Sequence, residues 1–366
     1  MTSRTRAGFV LLGVAILVLI GVALVRAPSD GSRSEPVAGS SPGAPPMAPG
    51  SGATAGVPSK APASSADASS RREVIAELGW GSGPDQLGRE RPQEANPEAP
   101  MSLAVTPLGD ILVVDQLNGR LLRLGQDGKV LGTTPLTQQV PQDIAVAKDG
   151  SMLVLDRLRD KSVAILDPLS GTLKGELPLQ GKGLPETGLI TGTFVDGDSV
   201  YVEREHGALV RIGDVSGTAD PERPEVPGRP TRDGRSFVVA HIIEARAGRL
   251  LVNAIDRASN TRRFTRQYTL GFPILFITLL DSDRSGVLYL GVAGELPTGR
   301  ASPATAEGVR LFCLEPLDGK VMGQVDLPPN TMPEETFRDF AVLDEGGVIY
   351  QLRTEAGVSL RRADCR

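Results

Sequence analysis

Three acids and one amide recur at the same place in successive stretches of this chain. Asp115 closes ILVVD, Asp156 closes MLVLD, Glu203 follows VYV and Asn253 follows LLV. Carboxylates and an amide gathered on one rim could hold a divalent cation and activate a water for hydrolysis. The same residues also suit a purely structural task, because a carboxylate at a strand end accepts backbone N–H groups from the turn that follows. Repetition favours the structural task, since a catalytic group is needed only once. The expectation is therefore a chain with no catalytic residues, no metal and no cofactor. Asp115, Asp156, Glu203 and Asn253 are the set that a metal-dependent, lactonase- or hydrolase-like enzyme would use instead.

A second set is basic. Arg157, Arg159, Arg204, His206, Arg257, Arg262 and Arg263 fall in the turns after these four stretches. Arginine is favoured at protein interfaces and against carboxylate or phosphate, so these seven residues are the expected binding face. His206 and His241 are the two histidines. A zinc site would need a third ligand such as Glu244 or Asp256, and a lone histidine on an apolar strand is more often a packing residue. Gly79-x-Gly81-x-Gly83 lacks the following lysine and helix of a phosphate loop. Asp281-x-Asp283-x-Ser285 begins like a calcium loop, but the position for its bidentate glutamate is Val292. Cys313 and Cys365, the two cysteines, are candidates for a disulfide that pins the C-terminus.

Composition narrows the classes. A net charge of −5 opposes general nucleic-acid binding, which needs a basic surface. Aromatic residues make up 4% of the chain, too few for a stacking platform for sugars or bases.

The elements that would position these residues come in repeats. MSLAVTPLGDILVVDQLNGRLLRLGQDGKVL and PQDIAVAKDGSMLVLDRLRDKSVAILDPLSGTLK share one plan of apolar run, Gly turn, apolar run ending in Asp, polar turn and apolar run. A repeat of roughly 40–50 residues with three or four short strands is a β-propeller blade. The turn between first and second strands marks each unit: TPLGD, AKDGS, VDGDS, ARAGR, DSDRSG and DEGG. Six marks predict an all-β, six-bladed β-propeller over residues 71–366. The last unit ends after its third strand. EVIAELGW, residues 73–80, is predicted to supply the missing outer strand and so remove an exposed edge.

The stretch from Gly79 to Gly128 resembles an NHL repeat. The matching residues are Gly79, Gly81, Gly83, Pro100, Val105, Gly109, Asp110, Val113, Asp115, Asn118, Arg120, Asp127 and Gly128. The second unit matches through Pro141, Ala145, Asp149, Gly150, Asp156 and Asp167, and the later units depart. The resemblance implies a six-bladed propeller with a protein-binding role. Amidating lyases that share the fold use several zinc-binding histidines, which this chain lacks.

Two segments precede the propeller. Gly8–Val25 is uncharged and about 27 Å long as a helix, close to a bilayer core. Arg4 and Arg6 before it favour a cytoplasmic N-terminus. Residues 1–26 are thus expected to be an uncleaved signal anchor, a single transmembrane helix. Residues 27–70, rich in Ala, Pro, Ser and Gly, are expected to be a disordered linker. The arginine-rich composition suggests a GC-rich bacterium, which places the anchor in the inner membrane and the C-terminal domain in the periplasm. The expected role is binding or scaffolding toward a protein or cell-envelope component, with no nucleic acid, and the metal-dependent hydrolase is the alternative.

Overall fold

The structure is a computed structural model that describes residues 72–366 apart from 95–96, 299–304 and 331–335. The expected anchor at 1–26 and linker at 27–70 lie outside the described residues. Among the described residues no helix is long and apolar enough to cross a membrane.

Six antiparallel sheets form the blades of one propeller. Blade one comprises Leu103–Val105, Ile111–Asp115, Arg120–Leu124 and Val130–Pro135, from the axis outward. Blade two follows with Asp143–Val146, Met152–Asp156, Ser162–Leu166 and Leu173–Pro178, and blade three with Ile190–Asp196, Ser199–Arg204, Leu209–Asp214 and Glu225–Val226. Blade five comprises Ile274–Ser282, Leu288–Pro297, Thr305–Leu314 and Val321–Leu327. The first–second turns in blades one and two close on Gly109 (φ 85°) and Gly150 (φ 88°), a left-handed conformation that favours glycine.

Blade six is built from both ends of the chain. Phe340–Val342, Val348–Arg353 and Val358–Ala363 are its first three strands, and Arg72–Trp80 is the fourth. The pairing is antiparallel, from Arg72 opposite Ala363 to Leu78 opposite Val358, with a bulge between Val74 and Ala76. The expected closure by residues 73–80 is therefore present, and it buries Leu78 with Leu103, Ile111, Val358 and Leu360 in the seam between blades six and one.

Blade four departs from the sequence reading. Its strands are Arg229–Pro230, Ser236–Glu244, Arg249–Asp256 and Arg262–Thr269. The first–second turn is Thr231–Ser236, closed by Thr231 N to Ser236 O and Gly234 N to Thr231 O, not ARAGR. ARAGR joins the second and third strands. The cause is local: the inner strand has two residues, one of them a proline that donates no hydrogen bond, so no apolar run announces it. Strand assignments from Phe237 to Leu270 consequently move outward by one.

Apolar clusters fill the seams between blades six and one, one and two, two and three, four and five, and five and six. Among the described residues no such cluster joins blades three and four. There the seam is polar: Arg257 pairs with Asp196 at 2.7 Å and Arg229 with Glu203 at 2.7 Å.

Candidate functional site

Successive strands of a blade run in opposite directions, so the turns after second strands and the connections between blades share one face. The turns after first and third strands share the opposite face. Asp115, Asp156 and Glu203 end second strands and lie on the former face. Asn253 lies on a third strand because of the blade-four shift, its side chain accepting a hydrogen bond from Thr265 Oγ1 at 2.6 Å.

The three acids are engaged by the fold. Asp115 accepts Gly88 N at 2.8 Å, Asn118 Nδ2 at 2.8 Å and Arg120 Nε at 2.8 Å. Asn118 and Arg120 reach on to the carbonyls of Gly81, Gly83 and Gln86. The Asp, Asn and Arg of the repeat motif thus clamp the glycine-rich connection from blade six to blade one. Asp156 likewise accepts Val140 N from the preceding connection at 2.7 Å, along with Leu158 N and Arg159 N. Glu203, 2% exposed, receives Arg229 through both oxygens at 2.7 and 2.9 Å and Thr191 Oγ1 at 2.9 Å. Burial pushes its carboxyl up, but the Arg229 charge and the bonds from His206, Arg229 and Thr191 outweigh it and hold the group well below the usual carboxylate range.

A side-chain plug fills the axis. Asp143 accepts Ser102 Oγ at 3.0 Å, Thr193 N at 2.8 Å and Arg338 Nη2 at 3.0 Å. The Phe194 ring centre lies 5.0 Å from the Arg338 guanidinium and 4.9 Å from that of Arg229. Arg229 also donates to Leu280 O at 2.9 Å. One network thereby touches all six blades at the centre. Its members come from positions 102–338, so no local pattern signals it.

The basic set divides between the two faces. Arg157 stacks 4.7 Å over Phe337 and donates to Ile190 O, while Arg204 donates to Gly183 O. Arg159 and His206 are exposed on that same face. His206 follows Glu205 in left-handed backbone (φ 56° and 50°), a conformation rare outside glycine and asparagine, with its N–H on Thr191 Oγ1. Arg257, Arg262 and Arg263 follow a third strand and so lie on the opposite face, Arg257 on Asp196 and Arg263 on Asp256. The seven residues do not form the single patch that the sequence reading expected. His241 lies on a second strand and is exposed, not on an inner strand.

Among the described residues, no cluster of metal donors gathers at the axis. Among the described residues, the one group of three Cys, His, Asp or Glu donors within 4.8 Å of one another is Cys313, Asp364 and Cys365. Its sulfurs are bonded to each other, joining blade five to the chain after blade six. Asp283, in the calcium-like segment, accepts Ser285 N, Val287 N, Tyr289 Oη and Arg366 Nη1.

The sequence reading missed a cleft between blades five and six. It holds about 340 Å³ and opens on the face of the second–third turns. Its walls include Leu275, Phe276, Ala293, Val309, Pro328 and Phe340. At its polar end Asp339 meets Arg353, Asn330 and Gln351. Leu275 and Phe276 are 49% and 55% exposed at its mouth. Ile242 and Ile243, also exposed, come shortly before Ala245, whose carbonyl accepts Ile274 N at 2.8 Å. The available signal was polar: Gln351 and Arg353 fall on an otherwise apolar strand, and Asp339 immediately precedes another.

No protein-family model and no curated protein matches the chain. Several solved structures align with parts of it. The hydrazine synthase of Kuenenia stuttgartiensis aligns at 17% identity over 74% of this chain and 80% of that one, with a TM-score of 0.47. A chain of the mitotic checkpoint complex aligns at 13% identity over 78% and 93%, also at 0.47. Virginiamycin B lyase from Staphylococcus aureus aligns at 14% identity over 73% and 95%, at 0.39.

Proposed function

We propose that this protein is a membrane-anchored, extracytoplasmic propeller that binds a protein or envelope component through the face of its second–third turns. One observation carries the reading: that face gathers a cleft and a group of exposed apolar side chains, Ile242, Ile243, Leu275 and Phe276. Contiguous exposed apolar patches mark interaction surfaces, and these two pairs flank the bond from Ile274 N to Ala245 O between blades four and five. Exposed Arg159 and His206 add positive and titratable groups on the same side. The ring acids are engaged within the protein, and a metal-dependent hydrolase would have to free them. The NHL-like motif fits a binding role, and its Asp115, Asn118 and Arg120 serve the fold.

The anchoring rests on Arg4, Arg6 and the apolar Gly8–Val25. The Cys313–Cys365 disulfide suits an oxidising compartment such as the periplasm.

Two experiments test the reading. In spheroplasts, externally added protease should degrade the propeller; full protection would put the domain on the cytoplasmic side. Affinity capture from solubilised membranes should lose its specific partner when Ile243→Ser and Phe276→Ser are combined. Leu169→Ser with Leu317→Ser on the opposite face should leave capture intact, and the reverse pattern would assign binding to the other face.

A further inference from the structure

We infer that the open inner edge of blade four, at residues 240–242, is a docking site where an extended, apolar peptide segment of a partner protein adds as a strand. The inference rests on the binding-face reading and names how that face holds its partner.

The edge is open because the inner strand is short. Arg229–Pro230 covers Val238 and Phe237 of the second strand and goes no further. The second strand runs on through Val239 to Glu244. Among the described residues no other strand pairs with its inner side. Its residues from His241 to Glu244 are exposed.

The backbone groups that point there follow from the register. Thr231 N donates to Ser236 O and Ser236 N to Thr231 Oγ1, both at 2.9 Å, so Ser236 faces the inner strand. Arg257 N donates to Arg235 O at 3.0 Å, so the odd-numbered positions face the third strand. Backbone groups alternate between the two edges of an antiparallel strand. The ladder to the third strand is regular from Ser236 to Ile242, so the alternation holds that far. Val238, Ala240 and Ile242 therefore share the direction of Ser236. Val238 meets Arg229. Ala240 and Ile242 meet no strand there, and among the described residues no hydrogen bond from outside the blade reaches their backbone.

N–H and C=O groups set at ladder spacing are matched by one kind of partner, an extended backbone, and this is the chemistry of strand addition. Native edges are usually blocked by lysine, proline or an inward charge. VAHII, residues 239–243, holds none of these, and Glu244 is neutralised by Arg249. Exposed Ile242 and Ile243 favour apolar side chains on the incoming strand. A second copy of this chain fits the edge poorly. Stable interfaces engage roughly 20–30 residues a side, whereas the exposed apolar group on this face is Ile242, Ile243, Leu275 and Phe276. A short segment needs no more than that.

The test uses the purified full-length chain in nanodiscs with a fluorescein-labelled pentapeptide, Thr-Val-Thr-Val-Thr, and its analogue methylated at every backbone nitrogen. In the free protein the amides of Ala240 and Ile242 should exchange with deuterium about tenfold faster, or more, than those of Val239 and His241, which face the third strand. The peptide should bind saturably at about millimolar concentration and slow exchange at Ala240 and Ile242. The methylated analogue should not bind. Ile242→Pro removes a donor that the blade does not use and should weaken peptide binding about fivefold or more. His241→Pro breaks the ladder opposite Leu251 and should instead lower Tm. The exchange pattern and the methylated peptide need no variant, so they decide the matter even where Ile242→Pro fails to fold. Amides of Ala240 and Ile242 that are already protected in the free protein overturn the inference. So does absence of saturable binding, equal binding of the methylated analogue, or binding that leaves exchange at these residues unchanged. A dimer in sedimentation velocity that Ile242→Pro dissociates would put a second copy on the edge and overturn it as well. If Ile243→Ser with Phe276→Ser abolishes capture while the peptide fails to bind, strand addition alone is wrong. If the peptide binds and no variant of the face alters capture, the edge site stands and the wider docking reading falls.

Discussion

Glu203→Gln separates a structural acid from a catalytic one. Glu203 is 2% exposed and Arg229 has 22% of its side chain exposed, and the pair bridges the polar seam between blades three and four. Removing one partner of such a pair leaves a buried charge without its counterion, at a cost of about 3 kcal/mol or somewhat more. With an unfolding entropy near 2.1 cal/mol/K per residue over a propeller of this size, 3 kcal/mol lowers Tm by about 5 °C. The acid dependence should change as well. The folded-state pKa of Glu203 lies below its ordinary value of 4.5. Its contribution to stability is therefore fully present above pH 4.5 and is lost progressively as pH falls below that value. Melting curves by circular dichroism at neutral pH and down to pH 3 would show a large wild-type-to-variant gap at neutral pH that narrows in acid. A variant that melts with the wild type at neutral pH, or a gap that stays constant through the acid range, would refute the structural assignment.

Other outcomes follow from the same contacts. The disulfide closes a loop with a sequence separation of 52, and chain entropy then gives about 4 kcal/mol; Cys365→Ser should lower Tm by roughly 6 °C at this size, as read by calorimetry. Arg338→Met removes the partner of buried Asp143 and should cost about 3 kcal/mol by urea denaturation, with Phe194 losing one of its two guanidinium neighbours. Deleting residues 72–80 uncovers the third strand of blade six and the apolar seam against blade one; the product should be insoluble or rapidly cut by trypsin, and a soluble, cooperatively melting product would contradict ring closure. Thr278→Val removes a buried hydroxyl with no partner and should leave Tm unchanged or slightly raised, because nothing favourable is lost.

The blade plan was legible because hairpin chemistry repeats. A Gly or Asp turn between two apolar runs has few other uses, and five of the six marks fall on first–second turns in the structure. The sixth went astray at Arg229–Pro230, where the inner strand is too short to form an apolar run. One misplaced strand then carried Arg257, Arg262 and Arg263 to the wrong face and Asn253 to the wrong strand. Closure by residues 73–80 was readable because the last unit ended one strand short. The axial plug and the cleft were not readable. Each is assembled from residues that lie far apart in the chain, such as Asp143 with Arg338, or Thr278 with Gln351. Their partners are set by the ring geometry and not by sequence spacing. Asp115 and Asp156 accept Gly88 N and Val140 N, so each acid holds the connection entering its own blade.

The central claim is that one face of the ring does the binding. A photo-crosslinking amino acid placed at Phe276, beside the cleft, and separately at Leu317, exposed on the opposite face, tests it in intact cells. Illumination should give a discrete adduct from position 276 and none from position 317. An adduct from 317 with none from 276 would turn the molecule over and place its partner on the face assigned here to the first–second and third–fourth turns.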